Sequence, residues 1–257
     1  INHRGDINIA KQLIDSAVRS GVDAVKFQTY ITEQRAPKGN DEVFKILKDL
    51  ELPFEAFKEL RDYAKQYSVD FFSTPFDKES VEYLESIGTD LYKIASFDIV
   101  NHQLLRAVAK TGKPVIMSVG MSNLDEIEDA YNILKEGTDC IAILHCISSY
   151  PTIEKDSKLS NIYKIQEKYN CIIGQSDHSN DIKVPIYAAA AGAQILEKHF
   201  KIDNNFECVD APVSITEVQM KKLVEEVRGL EVIFGKENFG IRSSEEQTAV
   251  FRRLIKD

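Results

Sequence analysis

A chain of 257 residues, 43% of them hydrophobic and 28% charged, has the make-up of a soluble globular protein of one large or two small domains, which excludes a disordered chain. A net charge of −9 excludes a surface built for nucleic acid or anionic membrane, because the summed field repels either, so any anion site has to be assembled locally from a few lysines. Four cysteines without a C-x-x-C spacing, three of them in apolar runs that read as strands, are expected to be buried free thiols of a cytoplasmic protein. No apolar run nears the roughly 18 residues that span a bilayer, and the opening INHRGD is not a signal peptide.

From residue 6 onward, short β-branched runs alternate with amphipathic stretches, the pattern of β/α units around a parallel sheet. In chain order the pattern predicts a helix over 6–20, a strand over 24–30 (AVKFQTY) and a long connection over 31–53 with a short helix at 41–50. A connection of that length is expected to be functional. A helix over 54–67, a strand over 69–74, a helix over 78–87, a strand over 91–96 (LYKIAS) and a helix over 101–111 follow. Then come strands over 114–119, 140–146, 171–176 and 194–200, each followed by a helix, over 123–136, 157–169, 181–192 and 215–234. Seven strands beside eight helices, in a chain that opens on a helix, predict an α/β fold: a (β/α)8 TIM barrel whose first strand lies upstream of Ile1 or ends at it. Near-continuous apolar runs such as CIAILHC and PVIMSV suit strands covered on both faces. An open doubly wound sheet would show a glycine-rich first turn, GxGxxG, and none is present. Residues 1–235 read as the barrel and 236–257 as a charged tail at a domain edge or the start of a linker.

In such a barrel the site lies at the C-terminal strand ends, and almost every strand delivers a polar residue there. Lys26 and Lys93 sit in otherwise apolar strands, where an unpaired ammonium costs several kcal/mol, so something anionic must meet them. One such lysine alone reads as half of an interior salt bridge. Two, joined by Thr74, Ser96, Ser118, Ser148 and Ser176, favour a phosphate or carboxylate pocket. His178, in GQSDHSND, and His199, in EKHF, end neighbouring strands and can share a divalent ion, with Asp210 or a water completing the shell. His145 reads as structural packing, His102 as a solvated helix opener, and His3 as ambiguous.

The runs KFQTY, STPFD, YKIAS, HCISSYP, SDHS and EKHF, in this order and spacing, resemble the sialic acid synthase family, which condenses phosphoenolpyruvate with an N-acylated aldose. The resemblance covers essentially the whole chain. It implies phosphoenolpyruvate contacts from Lys26, Thr74, Lys93, Ser96, Ser118, Ser148, Tyr150 and Ser176, and Mn²⁺ or Mg²⁺ on His178 and His199. It further implies that Gln28, Asn40, Asp98 and Asp210 face the sugar such as N-acetylmannosamine, with Gln28, Asp98 and Asp210 near the reacting carbonyl. Asp98 stands where the family usually has Glu, and the neighbouring Phe97 is similar to the pseudaminic acid branch. Ser148 replaces a frequent Asn, and ECVDAPVS departs from the usual segment around Asp210. The family also carries an acid on its first strand and a C-terminal antifreeze-like domain that lends an arginine to the partner subunit's sugar site, so a homodimer is expected of the full-length protein. Two rivals stay open: a Schiff-base aldolase with Lys93 or Lys26 as nucleophile, and a barrel that binds phosphoenolpyruvate or sugar without converting either.

Overall fold

Alternation of β-branched runs with amphipathic stretches resolves into seven parallel strands, β1 (Ala24–Thr29), β2 (Asp70–Pro75), β3 (Tyr92–Ile94), β4 (Val115–Ser118), β5 (Ile141–Cys146), β6 (Ile172–Asp177) and β7 (Ile195–Lys198). They pair in sequence order, β1 to β7, every neighbour parallel, in a computed structural model that describes residues 1–236 and 238–253. The helices are α1 (Ile7–Ser20), α2 (Thr32–Arg35), α3 (Asp41–Leu50), α4 (Phe54–Lys65), α5 (Lys78–Ser86), α6 (His102–Ala109), α7 (Leu124–Lys135), α8 (Ser160–Lys168), α9 (Lys183–Ala190), α10 (Glu217–Phe234) and α11 (Glu246–Ala249). The long connection holds two helices rather than one, because a turn of helix, α2, forms directly after β1.

Local chemistry sets the helix starts. Asp6 accepts from the backbone N–H of Asn8 and Ile9 at α1, Asp77 from Ser80 at α5, and capping boxes Asn123/Glu126 and Thr216/Gln219 open α7 and α10. The apolar core lies between sheet and helices: Tyr92, Ile94, Val115, Met117, Ile141, Ile143 and Ile173 pack against Leu105, Leu134 and Ile162 of the helix layer. Near β1 the same layer is built from Val25, Phe27, Ile14, Phe57 and Leu60. Burying one such aliphatic or aromatic side chain contributes about 1.5–3 kcal/mol.

Gly137 shows how tightly that layer closes. A Cβ there would lie 1.8 Å from the Ala109 carbonyl oxygen, a backbone atom that cannot swing aside. Gly137→Ala is therefore expected to destabilise the fold by about 1–3 kcal/mol, read as a fall in the urea midpoint at unchanged m-value.

Among the described residues the sheet has two edges, and β7 does not pair with β1. The expected eightfold closure is thus seen only in part, as seven parallel strands in a curled half-barrel. Between the two edges lies a cavity of about 770 Å³, lined by Val25, Phe27 and Leu196, by Leu13 and Ile14 of α1, and by Leu223 and Val227 of α10. α1 and α10 hold its two sides together: Arg19 and Ser16 both donate to Glu217, at 2.6 Å and 2.7 Å. Asn2 bridges the same gap, donating to the Phe200 carbonyl and the Ser214 hydroxyl at 2.9 Å each. The open flank explains why β7 is only half-buried along its length, whereas β5 is buried throughout.

The cysteine reading needs correction in part. All four are free, but only Cys146 is buried and inside a strand; Cys140 is exposed and Cys171 half-buried, because both precede the strands they were expected to open. No helix is long and apolar enough to cross a membrane among the described residues.

Candidate active site

Strand alternation sorts the strand residues into two sets. The parallel register aligns Lys26 with Phe72, Gln28 with Thr74, Lys93 with Ile116, and Ser176 with Glu197. These lie on the face opposite the helix-packed Val25, Tyr92, Met117 and Ile143, and converge at the C-terminal strand ends. Their period of two is why the polar residues near each strand end fall on the concave face of the sheet.

At the centre stands Glu197, a residue that sequence reasoning missed. Its carboxylate accepts from Lys26 at 3.1 Å and from Ser176 at 3.0 Å, and lies 4.0 Å from the Lys93 ammonium. The anion that the two lysines require is therefore supplied in part from within. Burial opposes charge on Glu197, but Lys26 and Lys93 hold its pKa at about 2. Lys93, fully buried, donates to the Ile94 carbonyl at 2.7 Å and Ser118 at 2.6 Å. Burial pulls its pKa down to about 8 against the opposing pull of Glu197. One carboxylate facing two ammonium groups leaves room for a further negative charge. The signal in the sequence was the period itself: Glu197 is two residues before His199 in EKHF, on the same face.

The hydroxyls line this centre. Thr74 is buried with its Oγ1 unpaired, as is the Gln28 Oε1. Ser96 accepts from the Gly120 N–H at 2.9 Å, and Ser148 lies 3.9 Å from the Cys146 sulfur. Gly120 makes a cradle here: a Cβ would come within 2.4 Å of the Ser148 hydroxyl and 3.0 Å of the Ser96 hydroxyl. Gly120→Ala is expected to raise KM for a bound phosphate ester by about tenfold, the loss of roughly one hydrogen bond, with the thermal midpoint little changed.

Beside this centre the two histidines face one another, ring centroids 5.2 Å apart. The His178 Nδ1 bonds the Ile147 carbonyl at 2.8 Å, and the His199 Nδ1 lies 3.1 Å from Asp210 Oδ2. Burial lowers the His199 pKa, Lys26 and His178 adding to it against Asp210, so the ring is neutral at pH 7 and donates to Asp210. Each Nε2 is left without a hydrogen bond among the described residues, the atom a divalent cation would use. No third His, Cys, Asp or Glu completes a metal group among the described residues, since Asp210 stands behind the His199 ring. The donor set thus fits a cation held by two imidazoles, with water or substrate oxygens filling the other positions.

Tyr150 covers this pair, its ring 4.2 Å from that of His178 and 6.0 Å from that of His199. Asp98 closes β3 in a half-buried turn, where burial raises its pKa against a 3.2 Å hydrogen bond from Asn101. Asn40 lies apart from this group: it is exposed, and its side-chain oxygen caps α3 by accepting from Val43 at 3.0 Å. His145 bonds the Ser157 carbonyl at 2.7 Å on the helix side, as expected of a packing residue. His3 is buried, accepts from Gly5, and stacks on Phe27.

Residues 13–239 match the sequence model of the NeuB family. The chain belongs to the NeuB family. It is 37% identical, over 91% of its length and 75% of the relative's, to N,N'-diacetyllegionaminic acid synthase of Campylobacter jejuni. To pseudaminic acid synthase of the same organism it is 31% identical, over 99% of this chain and 78% of that one. The crystal structure of N-acetylneuraminic acid (sialic acid) synthetase from Leptospira borgpetersenii superposes with a TM-score of 0.93 at 38% identity, covering 98% of this chain and 88% of that one. The resemblance read from the six motifs is thereby shown. The similarity to the pseudaminic branch suggested by Phe97 is not reflected in the identities, which are higher to the legionaminic relative.

Proposed function

We propose that this NeuB-family chain is a nonulosonic acid synthase that joins phosphoenolpyruvate to the open-chain form of an N-acylated aldohexose, such as N-acetylmannosamine, and releases phosphate by C–O cleavage. The observation that carries this reading is the pocket in which Lys26 and Lys93 face one carboxylate, ringed by hydroxyls and adjoining the paired imidazoles of His178 and His199. The phosphate of phosphoenolpyruvate takes the charge that Glu197 leaves unmatched, with Thr74, Ser96, Ser118, Ser148, Ser176 and Tyr150 supplying hydrogen bonds. Its C3 attacks the aldehyde carbon, whose oxygen takes a proton from Asp98, the proton that Asp98 regains when water adds at C2. Positive charge left at C2 is stabilised by Glu197 and Asp98. Water adds at C2, Asp98 takes its proton, and collapse of the adduct to a 2-keto acid expels phosphate. A Mn²⁺ or Mg²⁺ on the His178 and His199 Nε2 atoms would polarise the aldehyde oxygen as a Lewis acid. Gln28 and Asp210 hold the sugar end. The exposed cap Asn40 has no part in this reading.

The apolar slot between β1 and β7 supports an eighth, closing strand there, completing a barrel. Val232, Ile233, Phe234 and Phe239, all exposed at and beyond the end of α10, support a covering C-terminal domain or partner subunit in a cytoplasmic homodimer.

Full-length protein given phosphoenolpyruvate and a panel of 2-acetamido and 2,4-diacetamido hexoses should release phosphate with at least one of them, and release with none would refute the reading. Since the Lys93 pKa is about 8, the protonated amine that pairs with phosphate is lost above that pH. The kcat/KM for phosphoenolpyruvate should therefore fall above pH 8, by about tenfold per pH unit in the limit. A flat profile to pH 10 would remove Lys93 from phosphate binding. The same lowered pKa favours a second reading, a Schiff-base aldolase with Lys93 as nucleophile. Borohydride trapping of a pyruvate adduct would select it, and loss of turnover on chelation would select the synthase.

A further inference from the structure

The carboxylate behind His199 is not aimed by its own turn. Asp210 lies in the loop between β7 and α10, before a short 3₁₀ turn, Ala211–Val213, to which its side chain makes no cap bond. A carboxylate on such a loop turns to solvent unless its backbone is fixed from elsewhere, because ordering it costs conformational entropy.

Asn2, on the far side of the open flank, does the fixing. Its amide is buried, and both its oxygen and its nitrogen are bonded. The Oδ1 accepts from the Asp210 N–H at 3.2 Å, and the Nδ2 donates to the Phe200 carbonyl and the Ser214 hydroxyl at 2.9 Å each. Ser214 in turn donates to the Asp210 carbonyl at 2.7 Å. One side chain thus holds the Asp210 backbone from both sides, directly at its N–H and through a hydroxyl at its C=O. The same amide ties the loop to the strand end that Asp210 must face: Phe200 follows His199, and the Ile215 N–H donates to the His199 carbonyl at 3.0 Å.

The consequence falls on the imidazole. With its backbone held, the Asp210 carboxylate sits 3.1 Å from His199 Nδ1. An acceptor there keeps the proton on Nδ1 and leaves the Nε2 lone pair for a cation. Aspartate cannot replace Asn2, since its oxygens would meet the Phe200 carbonyl with no proton between them, and alanine would leave that carbonyl and the Asp210 N–H without their partner.

We propose that Asn2 is a positioning residue that sets Asp210 behind His199 and thereby raises the affinity of the two-imidazole site for a divalent cation. The proposal rests on the cation site of the synthase reading, and titration of the full-length protein with Mn²⁺, followed by electron resonance, separates the two. Asn2→Ala is expected to raise the Mn²⁺ Kd by about three- to tenfold, the effect of one buried hydrogen bond. In an Asp210→Ala background the same change should move the Kd by less than about twofold, because no carboxylate is left to aim. The urea midpoint, in contrast, should fall alike in both backgrounds, since Asn2 bonds only the backbone of Asp210. Should Asn2→Ala be too unstable to titrate, Ser214→Ala carries the same cycle: it cuts only the link to the Asp210 carbonyl and should raise the Kd about threefold. An unchanged Kd, or equal weakening with and without the Asp210 side chain, would overturn the proposal and leave the cation site standing. Wild-type protein that binds no Mn²⁺ would overturn the site and the proposal with it.

Discussion

His199→Ala is expected to reduce phosphate release from phosphoenolpyruvate by about a thousandfold or more, with the circular dichroism spectrum and thermal midpoint little altered. A Lewis acid at a developing alkoxide contributes several kcal/mol, and each 1.36 kcal/mol is a factor of ten. The ring can be removed without collapse because it is half-buried at the rim, and its hydrogen-bond partner Asp210 is equally wet at the pocket edge, with side-chain exposures of 20% and 16%. His178→Ala should act alike, since His178 supplies the second ring at 5.2 Å. Asp210→Asn should do less, about ten- to a hundredfold, since it leaves the imidazole in place and disturbs its tautomer and orientation and one contact to the sugar. Direct titration of Mn²⁺, followed by the loss of its free electron-resonance signal, gives a readout independent of turnover. Binding should vanish in His199→Ala and weaken in Asp210→Asn. Retained turnover in His199→Ala would remove the two-imidazole site from the chemistry.

The positions of these residues were open to sequence reasoning because strand periodicity is exact at two residues. Once EKHF is taken as a strand, His199 and Glu197 must share a face, and Lys198 must point the other way. Five of the seven observed strands fall within the runs read from β-branched patterning and β2 and β6 run one residue past theirs; the predicted helices differ from the observed ones at their ends, and the short α2 and α11 were not read. What the pattern did not disclose was pairing across the sheet. Glu197 looked like one more charge in a mixed run, although it is the carboxylate shared by lysines 171 and 104 residues away in the chain, Lys26 and Lys93. Asn40 shows the opposite ambiguity: asparagine serves equally as a helix cap and as a ligand-facing amide, and here its side-chain oxygen caps α3. Eightfold closure was read from the count of strands and helices, and it is seen only in part because β1 and β7 do not pair among the described residues.

Lys198→Met is expected to destabilise the fold by about 3–5 kcal/mol, the largest single effect on stability anticipated here. Lys198 and Asp177 are aligned in the β6–β7 register and turned away from the pocket, with side-chain exposures of 2% and 3% and a separation of 2.5 Å. The Lys198 ammonium also donates to the Ser179 carbonyl, and Ser179 donates back to Asp177 at 2.6 Å, so the charges close a small network over the turn after β6. Burial lowers the Lys198 pKa and Asp177 resists it, as expected of a pair whose attraction offsets desolvation. Removing only the lysine strands Asp177 as a buried charge, which is the costly outcome. Replacing both, as Asp177→Asn with Lys198→Met, removes the stranded charge and should recover most of the loss. Urea melts of the two single variants and the double variant measure this directly, and additive losses would show that the pair does not act as a unit. The same clamp lies one residue before His178 on one strand and one before His199 on the other. The double variant should therefore melt near the wild-type value yet bind Mn²⁺ more weakly, because a hydrogen-bonded amide–thioether pair no longer fixes the spacing of the two rings.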